Sequence, residues 1–358
     1  MVEMMRAALL EEAGSIRVSN VPRPAIGRGD VLIRVGRCGI CGSDMHSYAT
    51  GMYVEPGQIM GHEFMGWVAD LGVNVAGISV GDRVTGFSAS VCGACEACAR
   101  GDFQLCSKLF TGSTGYGAPG ALAEYVKIEN AELGLNVHKL PEAISDVSAA
   151  MIEPFSIGVS AVERAGVQPG DRVVVLGAGM IGNACLQAAR AVGATVLAVD
   201  VSSTRLVVAM ASGADDVFDA RDGDALEWVK AKFGVTKHHY GEGGSADVVF
   251  EAAGVPATIR QSLDMIRPGG TICIVGLPEH EAPIDTSRIV HKMPVIIGSL
   301  GGDFAATINR MEAGLLNGDL LCTHSFPLEQ AAEAFEAQRN ADRTVKVMIE
   351  MPASSAIR

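Results

Sequence analysis

The chain of 358 residues is short of aromatic side chains, 5% of the total, and short of positive charge, with 28 Lys and Arg against 41 Asp and Glu for a formal net charge of −13. The missing basic surplus, with no stripe of clustered Lys and Arg, excludes nucleic acid and anionic membrane surfaces as partners, because both attract positive faces. Long unbroken apolar runs are absent too. The region around residues 173–201 has the length of a membrane span, but it is cut by Gly177, Gly179, Gly182 and Gly193 and by the polar Asn183, Gln187 and Arg190. The short apolar run at the N-terminus has Glu3 inside it and Glu11 and Glu12 after it. That pattern excludes a secretory signal or anchor and leaves the cytoplasm as the expected location. Internal repeats and low-complexity tracts are lacking. The nine cysteines are an odd number in a chain with no export signal. They point to thiolate chemistry or buried thiols rather than a disulfide framework.

What is present centres on residues 173–182, where a run of Val and Leu leads into Gly177, Gly179 and Gly182, spaced G-x-G-x-x-G. The apolar run reads as a strand buried on both faces, and residues 183–192 have the composition of a helix that Gly193 ends. A second buried strand over 195–199 runs into Asp200, an acid about twenty residues beyond the glycines, as in a dinucleotide fingerprint. The first glycine permits the tight turn, the second lets backbone reach a pyrophosphate, and the third lets helix and strand pack closely. Met180 and Ile181 then open the helix whose N-terminus receives the anion. Asp200 is placed to accept hydrogen bonds from ribose hydroxyls and to repel a 2′-phosphate, which favours NAD over NADP, while Arg205 keeps NADP open.

The length predicts two domains. Short β segments with frequent turns, including residues 30–36 and 66–72, fill the stretch from Arg6 to about Gly86 and predict a small irregular barrel. A helix over 146–153 meets Pro154, and further helix runs to Ala165. After Asp200, strands at 216–218, 246–251 and 271–275 alternate with helices near 203–212, 225–232 and 256–265, which predicts parallel βαβ units; residues 238–245 read as a polar, glycine-rich loop. One more strand follows from about Pro294. Helices near 305–316 and 328–338 and a closing strand over 344–350 complete the chain.

Two groups of residues have the chemistry of metal sites. Cys92, Cys95, Cys98 and Cys106 put four thiols within fifteen residues, suited to one tetrahedral zinc with no open position and therefore a structural role; an iron-sulfur centre or a redox relay is the alternative. The second group is dispersed: Cys38, Cys41, Ser43, Asp44 and His46, then His62 and Glu63. A zinc that activates an alcohol needs three protein ligands and a vacancy. Spacing alone leaves other readings open, since Cys38 and Cys41 form a C-x-x-C pair and His62 alone is more often a packed or solvated histidine.

Taken together, Cys41 to His46, Gly61 to Glu63, Gly81 to Val84, the four clustered cysteines, Glu153 with Pro154, Gly177 to Gly182 and Asp200 to Leu206 make the chain resemble a zinc-dependent medium-chain dehydrogenase/reductase, of the sorbitol, threonine and butanediol dehydrogenase branch. The resemblance covers nearly the whole chain. It implies an α/β fold, with a doubly wound Rossmann sheet over 157–294 and a GroES-like irregular β-barrel catalytic domain over 1–156 and 295–358. The cleft for substrate would open between them, walled by Tyr48, Phe64 and Phe110. It implies two zinc ions per chain. Cys41, His62 and Glu153 would hold the catalytic one, with Glu63 either approaching the metal or standing behind the ligands. Cys38 would be a buried thiol, and Asp44 would accept the other ring proton of His62. Ser43 and His46 would carry the alcohol proton to solvent. Val275, Gly276, Leu277, Ser299 and Leu300 would lie near the nicotinamide, and residues 251–254 would flank the adenosine. The implied reaction is NAD-dependent oxidation of a secondary alcohol, a polyol or diol, or its reverse, in a homo-oligomer, tetrameric or dimeric. The alternatives are an L-threonine-type amino-alcohol substrate and a nucleotide-binding relative without turnover.

Overall fold

Aliphatic and β-branched residues crowd into Arg172–Leu176, Thr195–Asp200 and Ala246–Glu251, and each run pairs in parallel with its neighbours. With helices packed on both faces, such strands are buried on both sides and read as continuous apolar runs. The full order across this sheet is Asp216–Asp219, Thr195–Asp200, Arg172–Leu176, Ala246–Glu251, Ile266–Ile274, Val295–Gly298. It reverses direction of growth between Arg172–Leu176 and Ala246–Glu251, the switch point at which ligands bind in open α/β sheets. A core of Val174, Leu176, Val199, Val249, Leu263 and Ile272 fills one face.

The computed structural model describes residues 2–52, 54–278 and 280–352. It divides into two compact units. One holds Pro154–Leu321 and Ala341–Val345; the other holds the chain up to Glu153, then Cys322–Asn340 and everything from Lys346 on. The expected boundary at 294/295 is therefore displaced. Val295–Gly298 pairs in parallel with Ile266–Ile274 as the sixth strand, so the chain stays with the nucleotide-type sheet until Leu321. A second difference lies at 238–245: Val235–His238 and Gly241–Gly244 form a small antiparallel hairpin where composition alone suggested a loop. Three glycines in that stretch masked the alternation that marks a strand.

The other unit is built on strands Val31–Gly39, Glu63–Leu71, Arg83–Gly86 and Val137–Lys139, joined from the far end of the sequence by Lys346–Glu350 and Cys322–Pro327. Lys346–Glu350 lies antiparallel to Val31–Gly39, with Met348 opposite Gly39. Ile33, Val35, Phe64, Val126, Phe335 and Val347 share its core. Between the first strands sits a helix the pattern did not disclose, Gly42–Thr50, capped by Cys41 and stopped by the left-handed Gly51. The helical stretch near 146–165 also differs from expectation. Asp146–Ala150 ends at Met151, and Ile152–Ala165 runs straight through Pro154. A proline in the first turn costs little, because the amide it lacks has no intrahelical partner there. Glu153 is thereby fixed at the start of that helix.

Candidate active site and metal centres

The ends of three segments converge in the first unit. Gly39 faces Glu63 across the strand pair, and a side chain at Gly39 would lie 2.4 Å from Glu63 Oε2, so the glycine makes the room the carboxylate uses. Cys41 follows two residues on and caps Gly42–Thr50; His62 precedes Glu63–Leu71. One donor atom each from Cys41, His62 and Glu63 lies within 4.8 Å of the others, with His62 and Glu63 buried. A soft thiolate, an imidazole and a carboxylate in one pocket are a fitting donor set for a zinc ion with a position left open.

Glu153 stands beside this group rather than in it. Burial pushes its carboxyl up to about 7, against the opposing charge of His62 and with the help of Glu63. Glu63 is held differently: both its oxygens accept from Lys346 Nζ, at 2.8 and 2.6 Å, and Lys346 also donates to the Ile40 carbonyl at 2.9 Å. The pair is buried, the two side chains being 3% and 1% exposed. Burial works against the ammonium charge, but Glu63 and Cys41 outweigh it and raise Lys346 above its ordinary value. Sequence reading missed Lys346 because nearly three hundred residues separate it from Glu63.

His62 is likewise pulled two ways. Burial would lower its pKa, yet Asp44 and Cys41 raise it well above the usual value. The expected hydrogen bond from His62 to Asp44 is replaced by a longer ionic contact, Nδ1 to Oδ1 at 3.8 Å, beyond hydrogen-bonding range. Asp44 instead accepts from the Cys41 and Gly61 amides, at 3.0 and 3.3 Å, and so ties the helix start to the turn before His62. Its carboxyl is pushed up, chiefly by burial. Cys38 is fully buried, and burial raises its thiol well above normal.

Ser43 and His46 lie on Gly42–Thr50, one turn apart. The Ser43 hydroxyl is paired with the Tyr116 hydroxyl. Tyr116 also reaches His62 Nε2 at 3.4 Å, and its ring lies 4.9 Å from the imidazole. Burial drives its phenol pKa strongly upward, so it stays protonated. Tyr116 is a second site residue that sequence reading overlooked; the available signal was a tyrosine between Gly115 and Gly117. The expected walls are otherwise corrected. Tyr48 packs on Phe335 and bonds Glu336, Phe64 is core, and only Phe110, edge-on to Tyr116, is exposed.

Cys92, Cys95, Cys98 and Cys106 also bring their sulfurs within 4.8 Å of one another. All four are free thiols. The Cys92–Cys98 and Cys95–Cys98 separations of 3.9 and 3.5 Å bracket the edge of roughly 3.8 Å that a zinc tetrahedron with bonds of ~2.3 Å requires. Amides of Cys92, Cys95 and Lys108 donate to these sulfurs, which favours thiolates. Such hydrogen bonds, from Cys98 above all, bring Cys95 down to about 6, while burial sends Cys98 up to about 12.

In the sheet unit, Gly177 is left-handed at φ +95°, and a methyl at Gly182 would lie 1.8 Å from the Gly177 carbonyl oxygen. Gly179 is different: its missing side chain faces open space, with only Arg205 at 3.8 Å. That gap above the start of Met180–Val192, beside a guanidinium held by the Thr344 carbonyl at 3.0 Å, fits a pyrophosphate. Met180 and Ile181 form the first turn. Asp200 stands at its strand end as expected, but its oxygens already accept from Ala178, Val201 and Ser202, at 2.6 to 2.8 Å, bracing the glycine turn. The Val275 and Gly276 amides donate to the Glu251 carbonyl, and a side chain at Gly276 would strike Gly254. Leu277 and Leu300 are 82% and 46% exposed, and Ser299 Oγ is buried without a partner among the described residues.

A parallel sheet with a phosphate-binding turn, and a separate unit carrying two thiolate-bearing donor groups, define an α/β oxidoreductase that works with a nucleotide and a metal. Comparison with known proteins narrows this. A model of the zinc-binding dehydrogenase matches residues 181–316, and one of the alcohol dehydrogenase GroES-like domain matches residues 27–142. Sorbitol dehydrogenase of Bacillus subtilis is 34% identical over 96% of this chain and 97% of its own. L-threonine 3-dehydrogenase of Bacillus licheniformis is 35% identical over 92% and 94%. The crystal structure of 2R,3R-butanediol dehydrogenase from Bacillus subtilis superposes with a TM-score of 0.85 at 30% identity, covering 98% of this chain and 100% of that one. The chain belongs to the zinc-dependent medium-chain dehydrogenase/reductase family, in the branch of these polyol, diol and threonine dehydrogenases.

Proposed function

We propose that the protein oxidises a secondary alcohol, a polyol or diol, with NAD, and runs the reverse reduction. The observation that carries this reading is the cluster of Cys41, His62 and Glu63 donors with the Ser43 hydroxyl close by. Cys41 and His62 would hold the catalytic zinc, with Glu153 as third ligand and Glu63 free to join when Lys346 releases it. Cys92, Cys95, Cys98 and Cys106 would hold the structural one. Zinc supplies a Lewis acid that brings an alcohol's pKa towards neutrality, and NAD supplies the hydride acceptor. Ser43 Oγ takes the alcohol proton, and His46, one turn further along the same helix, delivers it to solvent.

Gly177, Gly179, Met180, Ile181 and Gly182 cradle the pyrophosphate. Asp200 disfavours a 2′-phosphate, and Arg205 faces the anion. Val275, Gly276, Leu277, Ser299 and Leu300 serve the nicotinamide end, where exposed leucines and an unpartnered hydroxyl suit a ring with a polar amide. The named activities of the relatives support the substrate class, and threonine remains the rival within it.

A homo-oligomer is part of this reading. Val295–Gly298 has a free edge and exposes Val295 and Ile296 beside Val290 and Met293, a surface suited to a second copy. The free thiols fit the cytoplasm. Among the described residues no helix is long and apolar enough to cross a membrane.

The test is to incubate metal-replete protein with NAD and a panel of sugar alcohols, diols and threonine while following reduced cofactor. Turnover of a polyol or diol, lost in Cys41→Ser with NAD binding retained, is the expected result. No turnover across the panel, with NAD bound, refutes the reading.

A further inference from the structure

Tyr116 is a buried polar group at the candidate metal site to which the reaction as proposed gives no task. Its placement is over-determined. Gly115 and Gly117 are both left-handed, at φ +78° and +82°, and side chains at either would strike backbone, Gly61 in the first case and Thr111 in the second. The loop is thus pressed against the residue that precedes His62. The Tyr116 amide donates to the Ser113 carbonyl at 2.7 Å, the ring is wedged between Phe110 and His62, and only 6% of the residue is exposed. Nothing of this kind is needed to pack a loop. Its effect is to hold one phenol hydroxyl against Ser43 and within 3.4 Å of His62 Nε2.

Two hydroxyls bonded to one another use one hydrogen and one lone pair between them, leaving a second hydrogen and further lone pairs unspent. The other polar neighbour of the phenol is His62 Nε2, the ring nitrogen turned away from Asp44 and the one a metal would take. With that nitrogen engaged by a metal, the pair would keep hydrogen-bonding capacity free for a further oxygen close to the metal. We propose that the Tyr116 hydroxyl, paired with that of Ser43, binds a second hydroxyl adjacent to the reacting carbinol, so that the protein selects vicinal diols and polyols over simple secondary alcohols. This deepens the functional reading above and rests on it.

The test compares 2,3-butanediol with 2-butanol, which share a carbon skeleton and differ by one hydroxyl, in the zinc-loaded wild type and in Tyr116→Phe. The variant keeps the ring against Phe110 and His62, and an unchanged Tm establishes that it folds. Expected is a fall of about tenfold in kcat/KM for the diol, mostly in KM, the size of one neutral hydrogen bond, with 2-butanol changed less than about threefold. In a second readout, the diol raises the Tm of the zinc-loaded, NADH-bound wild type more than 2-butanol does, and the difference disappears in the variant. Equal losses for both alcohols, an undiminished diol preference, or a wild type that does not distinguish the two overturns the proposal. If the wild type binds zinc and NADH but oxidises neither alcohol, the functional reading fails, and the Tm comparison alone decides for or against the hydroxyl site.

Discussion

Replacing Lys346 by Met removes the only cation among the described residues that pairs with Glu63, while keeping most of the buried hydrocarbon. Glu63 is 1% exposed and accepts two hydrogen bonds from Lys346 Nζ. Deleting one partner of a buried ion pair strands the other, at a cost of about 3–5 kcal/mol. For a unit of this size, roughly 2–4 °C per kcal/mol makes a Tm depression of about 6–20 °C for the metal-free protein. The companion variant is Lys346→Met with Glu63→Leu. Exchanging both members for apolar groups of similar size leaves no orphaned charge, so most of the lost stability returns. Urea denaturation of wild type, both single variants and the double variant closes the cycle and yields a coupling of at least about 2 kcal/mol. Zinc sharpens the result. With Lys346 gone, Glu63 has no competing cation, so adding the metal stabilises Lys346→Met more than it stabilises the wild type. A single variant within about 1 kcal/mol of wild type, or a double variant no better than the single, would falsify the view that this pair is a closed buried unit.

Gly179→Ala is expected to fold normally, since the added methyl meets nothing nearer than Arg205 at 3.8 Å, yet to bind NAD at least about tenfold more weakly by crowding the pyrophosphate; unchanged affinity by titration would show that the phosphates lie elsewhere. Gly182→Ala, by contrast, should fail to fold. Cys98→Ser should lower bound zinc by one ion per chain and expose residues 92–106 to protease, because a site missing one thiolate no longer ties down the loop; full metal content by atomic absorption contradicts the four-thiolate site. Asp247 shows the sign of one acid transition. Burial raises its carboxyl, but the hydrogen bonds from Arg172 and Arg267 win and hold it at about 2. The stability it contributes is therefore complete above the unfolded value near 4 and is lost as pH falls through about 2. Asp247→Asn should cost about 1–2 kcal/mol at pH 7, discounted for its partial exposure. That deficit should vanish by about pH 2, and one that persists there would argue against the assignment.

The parts of the fold that sequence disclosed are those where one physical demand dominates. Strand Ala246–Glu251 and helix Pro256–Met265 stand where apolar runs and a leading proline put them. The short helix Gly42–Thr50 escaped because its residues, glycine, serine, aspartate and threonine among them, carry a weak helical signal, and the cap at Cys41 and contacts of Asp44, Ser47 and Tyr48 stabilise it. Strand Val295–Gly298 was recognised, but its membership was not: four residues between Pro294 and Ser299 do not say which sheet they join. At the candidate site, residues within one motif, such as Cys41 and Ser43 or the four thiols, were legible because local spacing places them. Tyr116 and Lys346 were not, since only the folded chain brings Tyr116 to His62 and Lys346 to Glu63.

Because Cys322–Pro327 and Lys346–Glu350 complete the sheet begun by Val31–Gly39, the N-terminal unit is left open along two strand positions until after the whole of Pro154–Leu321 has been made. The ribosome releases Pro154–Leu321 with all six strands of its parallel sheet in hand before the countercharge for Glu63 has been synthesised. The order of emergence thus favours assembly of the nucleotide-type unit first. Newly made protein cannot have a settled metal pocket until Lys346 is in place, and truncation ahead of that residue would leave the Glu63 carboxylate without its ammonium partner.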